Sequence, residues 1–153
     1  MNFYLFVNSD SYDFNDKKVH SPKIAAFRLK NKVYPIYHRN RLKKFLKPGD
    51  SIIFYLAGNP ASETKSFVAY GKIKEIKIDS NYNEDDVHLS QPIEKIVILK
   101  SLNIKKPVSI YKVKDKLSFI TKKKKWGPSM QGGILKITDK DFDLIVKEMN
   151  KWE

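Results

Sequence analysis

The feature that most constrains this chain lies between residues 51 and 102. Three apolar, β-branched runs follow one another there: SIIFYLAG (51–58), SFVAYGKIKEIKID (66–79) and PIEKIVILKSL (92–102). Turn-forming clusters separate them, GNPASE after the first and the acidic SNYNEDDVHLSQ (80–91) after the second. No helical period intervenes, so the strands are joined directly, as in antiparallel sheets, and not through the crossover helices that a parallel sheet requires. The apolar alternation of 66–79 changes phase between Ile73 and Ile76, which predicts a β-bulge. An aromatic run, FYLFVN (3–8), predicts a further buried strand near the start.

Helical signals sit on either side of this block. Ser21-Pro22 reads as an N-cap with proline at the first helical position, opening a helix that turns Ile24, Phe27 and Leu29 to the core. VYPIY (33–37) is extended, because Pro35 disfavours helix at Tyr34. HRNRLKKFL (38–46) reads as a short basic helix that stops at the turn KPGD (47–50). Residues 107–120 hold one or two helical turns. Thr138-x-x-Asp141 resembles a capping box and opens a final helix whose Phe142, Ile145, Val146 and Met149 share one apolar face. With 153 residues, 41% of them hydrophobic, and neither an internal repeat nor a linker, one domain spanning 1–153 is expected. The fold class is α+β: a curved, mostly antiparallel sheet or small barrel flanked by short helices and a C-terminal helix.

Charge narrows the partners. The net charge is +13, and its distribution is uneven. Residues 17–47 carry 11 basic residues and no acid; residues 95–125 carry 11 and one acid, Asp115. Such basic faces suit nucleic acid first and an acidic membrane surface second. No run is apolar enough for a spanning helix, and the N-terminus lacks the basic leader and cleavage site of a signal peptide. The chain has no cysteine, which excludes disulfides and thiolate metal sites and is compatible with a cytoplasmic protein.

Catalytic signatures are missing. His20, His38 and His88 show no metal-ligand spacing, and no nucleophile elbow, phosphate loop or dinucleotide fingerprint occurs. Glu84, Asp85 and Asp86 read as a solvated loop. No cofactor or metal, and no enzymatic activity, is expected. What stands out is aromatics set among basics: Tyr34, Tyr37, His38, Arg39, Asn40 and Arg41 in one segment, Lys122, Lys123, Lys124 and Lys125 with Trp126 in another. Cations hold phosphates and aromatic faces stack on unpaired bases, so two rings could sandwich a base taken out of a duplex. The same residues also fit a plainer role, Tyr34 and Tyr37 as half-buried strand packing and Trp126 as a plug under the lysine loop.

Two stretches carry a resemblance. VYPIYHRNRLKKFLKPGDSIIFYLAG (33–58) and KKKKWGPSMQGGILKITDKDFDLI (122–145), in this order and with FYLFVN before them, are similar to the EVE domain family, part of the PUA-like superfamily and related to the YTH domains. The resemblance implies a PUA-like curved β-barrel that binds nucleic acid without catalysis and reads a flipped, modified base in an aromatic cage. It implies a base pocket of Asn8, Ser9, Tyr34, Trp126, Ser129 and Gln131. Arg39, Arg41, Lys43, Lys44 and Lys122 to Lys125 would grip phosphates at its mouth. Tyr34 stands where many relatives have tryptophan. The segment from Lys17 to Lys32 and the acidic loop match nothing in the family pattern. The alternatives are a PUA-like protein that binds structured RNA by shape without extruding a base, and, more remotely, a nuclease or a protein-interaction adaptor.

Overall fold

A computed structural model describes residues 1–37, 40–58, 64–79, 82, 93–122, 124, 126–130 and 133–151 of the chain, Pro128 and Ser129 by backbone alone. The expected turn after residue 58, most of the acidic loop 80–91 and its three carboxylates lie outside the described residues.

Its centre is a pair of strands buried on both faces. β1 (Phe3–Asn8) buries five of its six residues. Further strands and helices follow in chain order: β2 (Ser11–Tyr12), β3 (Lys18–Val19), α1 (Ser21–Asn31), β4 (Val33–Tyr37) and β5 (Ser51–Leu56), the last wholly buried. Then come β6 (Ser66–Lys77), β7 (Ile93–Ser109), α2 (Ile110–Val113), β8 (Ile134–Ile137) and α3 (Asp139–Met149). The main sheet runs β4-β7-β6-β5-β1-β8, and β2 and β3 form a separate small hairpin. β1 pairs with β5 in parallel; the other ladders are antiparallel, as the consecutive strands required.

Strand alternation sorts the core onto two faces. Tyr4 and Phe6 of β1 join Ile52, Phe54 and Leu56 of β5 in a cluster inside the curl, covered by Ala25 and Leu29 of α1. Leu5, Val7, Ile53 and Tyr55 point the other way and pack under α2 and α3 through Ile110, Val113, Ile145 and Met149. Each such buried aliphatic or aromatic side chain contributes about 1.5–3 kcal/mol of transfer free energy.

The curl comes from bulges. The β6–β7 register shifts three times, including once between Ile73 and Glu75, where the sequence pattern changes phase. Each shift bends the strand and raises its twist. Gly71 sits at one of these corners: a Cβ there would stand 2.9 Å from the Leu102 side chain and 3.0 Å from the Lys100 carbonyl oxygen. Tyr34 then closes the curl. From edge strand β4 its hydroxyl reaches the carbonyl oxygens of Val7 (2.6 Å) and Gly133 (3.2 Å), beside the opposite edge.

The helices follow their sequence signals with two shifts. The cap of α1 is His20 rather than Ser21; Ser21 is buried, and its hydroxyl donates to the Ala57 carbonyl at 2.6 Å. Along α1 the buried stripe is Ile24, Ala25, Arg28 and Leu29, with Phe27 only half-buried. Of the helix expected at 38–46, the helical part among the described residues is a 3₁₀ turn at Lys43–Phe45. The cap of α3 is as read: Thr138 Oγ1 accepts from the Asp141 amide at 3.1 Å. Among the described residues no helix is long and apolar enough to cross a membrane.

Candidate nucleic-acid interface

The C-terminal end of β1 gathers an unusual amount of polar chemistry. Asn8 is completely buried there. Both of its amide hydrogens are committed, to the carbonyl oxygens of Phe6 (3.1 Å) and Tyr55 (3.2 Å). Its Oδ1 accepts from Arg28 Nη1 at 3.0 Å. Asn8 therefore locks β1 to β5 and seats a cation; it has no free donor with which to read a base.

Arg28 is the residue that the sequence pattern did not single out. It is only 3% exposed, in the middle of α1. Burying a guanidinium is costly unless its hydrogen bonds are met. Besides Asn8 it donates to the Tyr37 hydroxyl at 3.0 Å, and its guanidinium carbon lies 5.2 Å from the Tyr34 ring centroid. The signal was present: Arg28 follows Ile24 by four residues, which puts a cation on the apolar stripe.

Tyr34 is 3% exposed and lies inside the curl. Its ring stacks on Phe6 at 4.3 Å and meets Phe54 edge-on at 5.7 Å. With Phe6 and Arg28 against the ring and the hydroxyl bonded to Val7 and Gly133, it offers no open platform for a base. Trp126 belongs to the other cluster, under α2 and α3. It is half-buried and meets Tyr111 edge-to-face at 5.5 Å and 87°. The sheet thus separates the two expected cage walls, because β1 and β5 send alternate side chains to opposite faces. The structure does not bring Tyr34 and Trp126 together.

The segment that follows Trp126 is nevertheless pinned to the end of β1. After Trp126 a 3₁₀ turn, Gly127–Met130, contains Ser129 and buries Met130. Three residues on, the Gly133 carbonyl accepts from the Val7 amide at 2.6 Å. Gly133 has φ +74°, and a Cβ there would lie 3.4 Å from Asn40 Nδ2. Ser9, the next residue after Asn8, is exposed. Asp10 accepts from the Ser21 amide at 2.8 Å and faces Lys18 and His20 at 3.6 and 3.7 Å. Gln131 lies outside the described residues.

The expected phosphate-binding residues divide. Lys122 and Lys124 are exposed beside Trp126, and Arg41 is exposed. Lys43 is half-buried and pairs with Glu94 at 2.7 Å, so its charge is already met. Lys44 lies 5.2 Å from the Phe45 ring. The Phe45 carbonyl accepts from the Tyr4 hydroxyl at 3.4 Å, which ties this turn to the first half of β1. Arg39, Lys123 and Lys125 lie outside the described residues. Among the described residues no group of three or more His, Asp or Glu could hold a metal ion.

The EVE domain model matches residues 11–148. A relative in Bacillus licheniformis, the UPF0310 protein in the gntR 5′ region, is 32% identical over 112 residues, 71% of each chain. Among solved structures, human THYN1 in complex with 5-methylcytosine containing DNA superposes with a TM-score of 0.61 at 15% identity, covering all of both chains. The Pho92 YTH domain in complex with m6A gives 0.55 at 12% identity, over 99% of this chain and 85% of that one. These likenesses carry the PUA-like fold that the strand order and curl describe. The family match spans nearly the whole chain, from the small hairpin to the end of α3: this protein belongs to the EVE domain family.

Proposed function

We propose that this protein is a non-catalytic nucleic-acid-binding domain that reads a modified base extruded from its strand. The observation that carries the reading is Trp126: a half-buried indole, flanked by exposed Lys122 and Lys124, on a segment tied through Gly133 to the polar end of β1. The net charge of +13 supports an anionic partner. The family, and two proteins of the same fold with a methylated nucleic-acid component bound, support the choice of ligand.

In this reading Trp126 stacks on the base, while Ser9, Ser129 and Gln131 meet its polar edge. Asn8, Arg28 and Tyr34 act from behind as a fixed wall, holding the end of β1 and the Gly133 carbonyl in place. Lys122 to Lys125 and Arg39 and Arg41 hold phosphates. Stacking contributes about 1–3 kcal/mol per base. The Trp126→Ala variant should therefore bind about tenfold more weakly and lose any preference for a methylated base. Titrations of DNA and RNA oligonucleotides carrying 5-methylcytosine, N6-methyladenine or no modification measure both effects. Equal wild-type affinity for all of them refutes base reading; a preference that survives in Trp126→Ala refutes the role of Trp126.

One observation favours a second reading, shape recognition of structured RNA without base extrusion. Tyr34 is covered, so no described ring stands parallel to Trp126 across a base-sized gap. A folded RNA hairpin that outcompetes every modified strand decides for it.

A further inference from the structure

The side of the molecule under α2 carries an aromatic and cationic surface that the base-reading site does not use. Tyr111 is 52% exposed. The short helix that bears it is fixed: Ile110 and Val113 are buried, and Ser109 Oγ accepts from the Tyr111 amide at 3.2 Å. Trp126 props the ring from one side. Its orientation is thus set before any ligand arrives, which lowers the entropy lost on stacking.

Beside α2 lies a cavity of about 350 Å³ lined by Lys106, Pro107, Val108, Lys112, Glu148 and Met149. That volume falls in the range of small-molecule sites. Its charge balance is cationic. Glu148 is matched by Lys112 at 3.6 Å and Lys151 at 3.4 Å. Lys106 is exposed and makes no salt bridge among the described residues. A stacking face and a cationic cavity on adjoining residues are the two elements that hold one unpaired nucleotide.

We infer that Tyr111 and the Lys106–Lys112 cavity form a second contact for single-stranded nucleic acid, with an unpaired base on the Tyr111 ring and its phosphate at Lys106. The inference rests on the nucleic-acid reading above but assigns a separate job: affinity for the flanking strand, without discrimination among bases. Trp126 is the junction, since its other neighbours lead to the end of β1.

The test is binding of a single-stranded oligonucleotide, unmodified and methylated, to wild type, Tyr111→Ala, Tyr111→Phe and the double variant Lys106→Ala with Lys112→Ala, each checked by its melting curve. Tyr111→Ala should bind both oligonucleotides about tenfold more weakly with their ratio unchanged, and Tyr111→Phe should bind like wild type. The lysine pair should lower the salt slope by about 0.7, through Lys106, because Lys112 already serves Glu148. Unchanged binding in Tyr111→Ala and in the lysine pair overturns the second contact and leaves the base-reading proposal standing. A changed methylated-to-unmodified ratio in Tyr111→Ala overturns it as a separate contact. Wild type with no affinity for any strand overturns both proposals. Should Tyr111→Ala fail to fold, Tyr111→Leu and the lysine pair test the same contact, with the same losses expected and unchanged binding again overturning it.

Discussion

Tyr34 and Trp126 make the instructive comparison. In sequence they are alike, an aromatic residue set against a basic run. In the structure Tyr34 is a core residue of the curl, and Trp126 is half-buried on the far side of the sheet. The difference comes from where each stands in the backbone. Tyr34 is on β4, opposite Val97 of β7, where the pleat points it inward with Ile36. Trp126 precedes a 3₁₀ turn, outside any strand, so no pleat fixes its side. Basic neighbours say nothing about burial; position in a ladder does.

The largest expected effect tests the Tyr34 half. Truncating it to alanine removes a fully packed ring and should cost about 3–5 kcal/mol of stability, read by chemical denaturation. Tyr34→Phe keeps the ring but leaves the Val7 carbonyl without its hydroxyl partner. It should cost about 1–2 kcal/mol and leave base preference intact. Lost preference at unchanged stability would put Tyr34 at the base after all and break the comparison.

A smaller effect sharpens the Trp126 half through its lysines. Each phosphate contact removed flattens the dependence of log affinity on log salt by about 0.7–0.9. Lys124→Ala should show that change. Lys43→Ala should not, because Lys43 already serves Glu94. Equal slopes for the two variants would mean that the backbone track runs along the Lys43 turn instead.

Much of the architecture was legible in the sequence, and the reasons are local. Consecutive β-branched runs announced direct strand pairing, the phase change near Ile73 announced its bulge, and Thr138 with Asp141 announced the last helix. The parallel β1–β5 pair was not legible, since it joins residues 48 positions apart, from Phe3 with Ser51 to Asn8 with Leu56, and depends on how the curl closes. The site was legible in composition but not in geometry. Asn8 reads as a free polar group at a strand end, yet three hydrogen bonds commit it to the fold. Arg28 reads as one more basic residue in a helix, yet tertiary contacts, those with Asn8 and Tyr37 among them, make its burial tolerable. Ladder parity, which turned Tyr34 into the curl, is known only once the sheet order is known.

The smallest effect comes from repeating the Tyr34→Phe change on the other face. Tyr55 of β5 is buried under α2, tilted against Phe67 at 5.0 Å. Its hydroxyl has no hydrogen-bond partner among the described residues. The same atom deletion should therefore have the opposite sign: Tyr55→Phe removes a buried unmet donor and should be neutral or stabilising by about 1 kcal/mol. Alkaline pH gives an independent readout. Burial, and secondarily the neighbouring Tyr111, push the Tyr55 hydroxyl well above its ordinary value of 10.0. A pKa raised by folding means that the unfolded chain gives up the proton first. The stability is fully present below about pH 10 and is lost as pH rises through the raised folded value. Denaturation midpoints of wild type should fall above pH 10, and Tyr55→Phe should fall less steeply. A clear loss of stability at neutral pH would show that the Tyr55 hydroxyl is bonded after all and that the two faces treat their tyrosines alike; a steeper alkaline fall would show that folding does not raise its pKa.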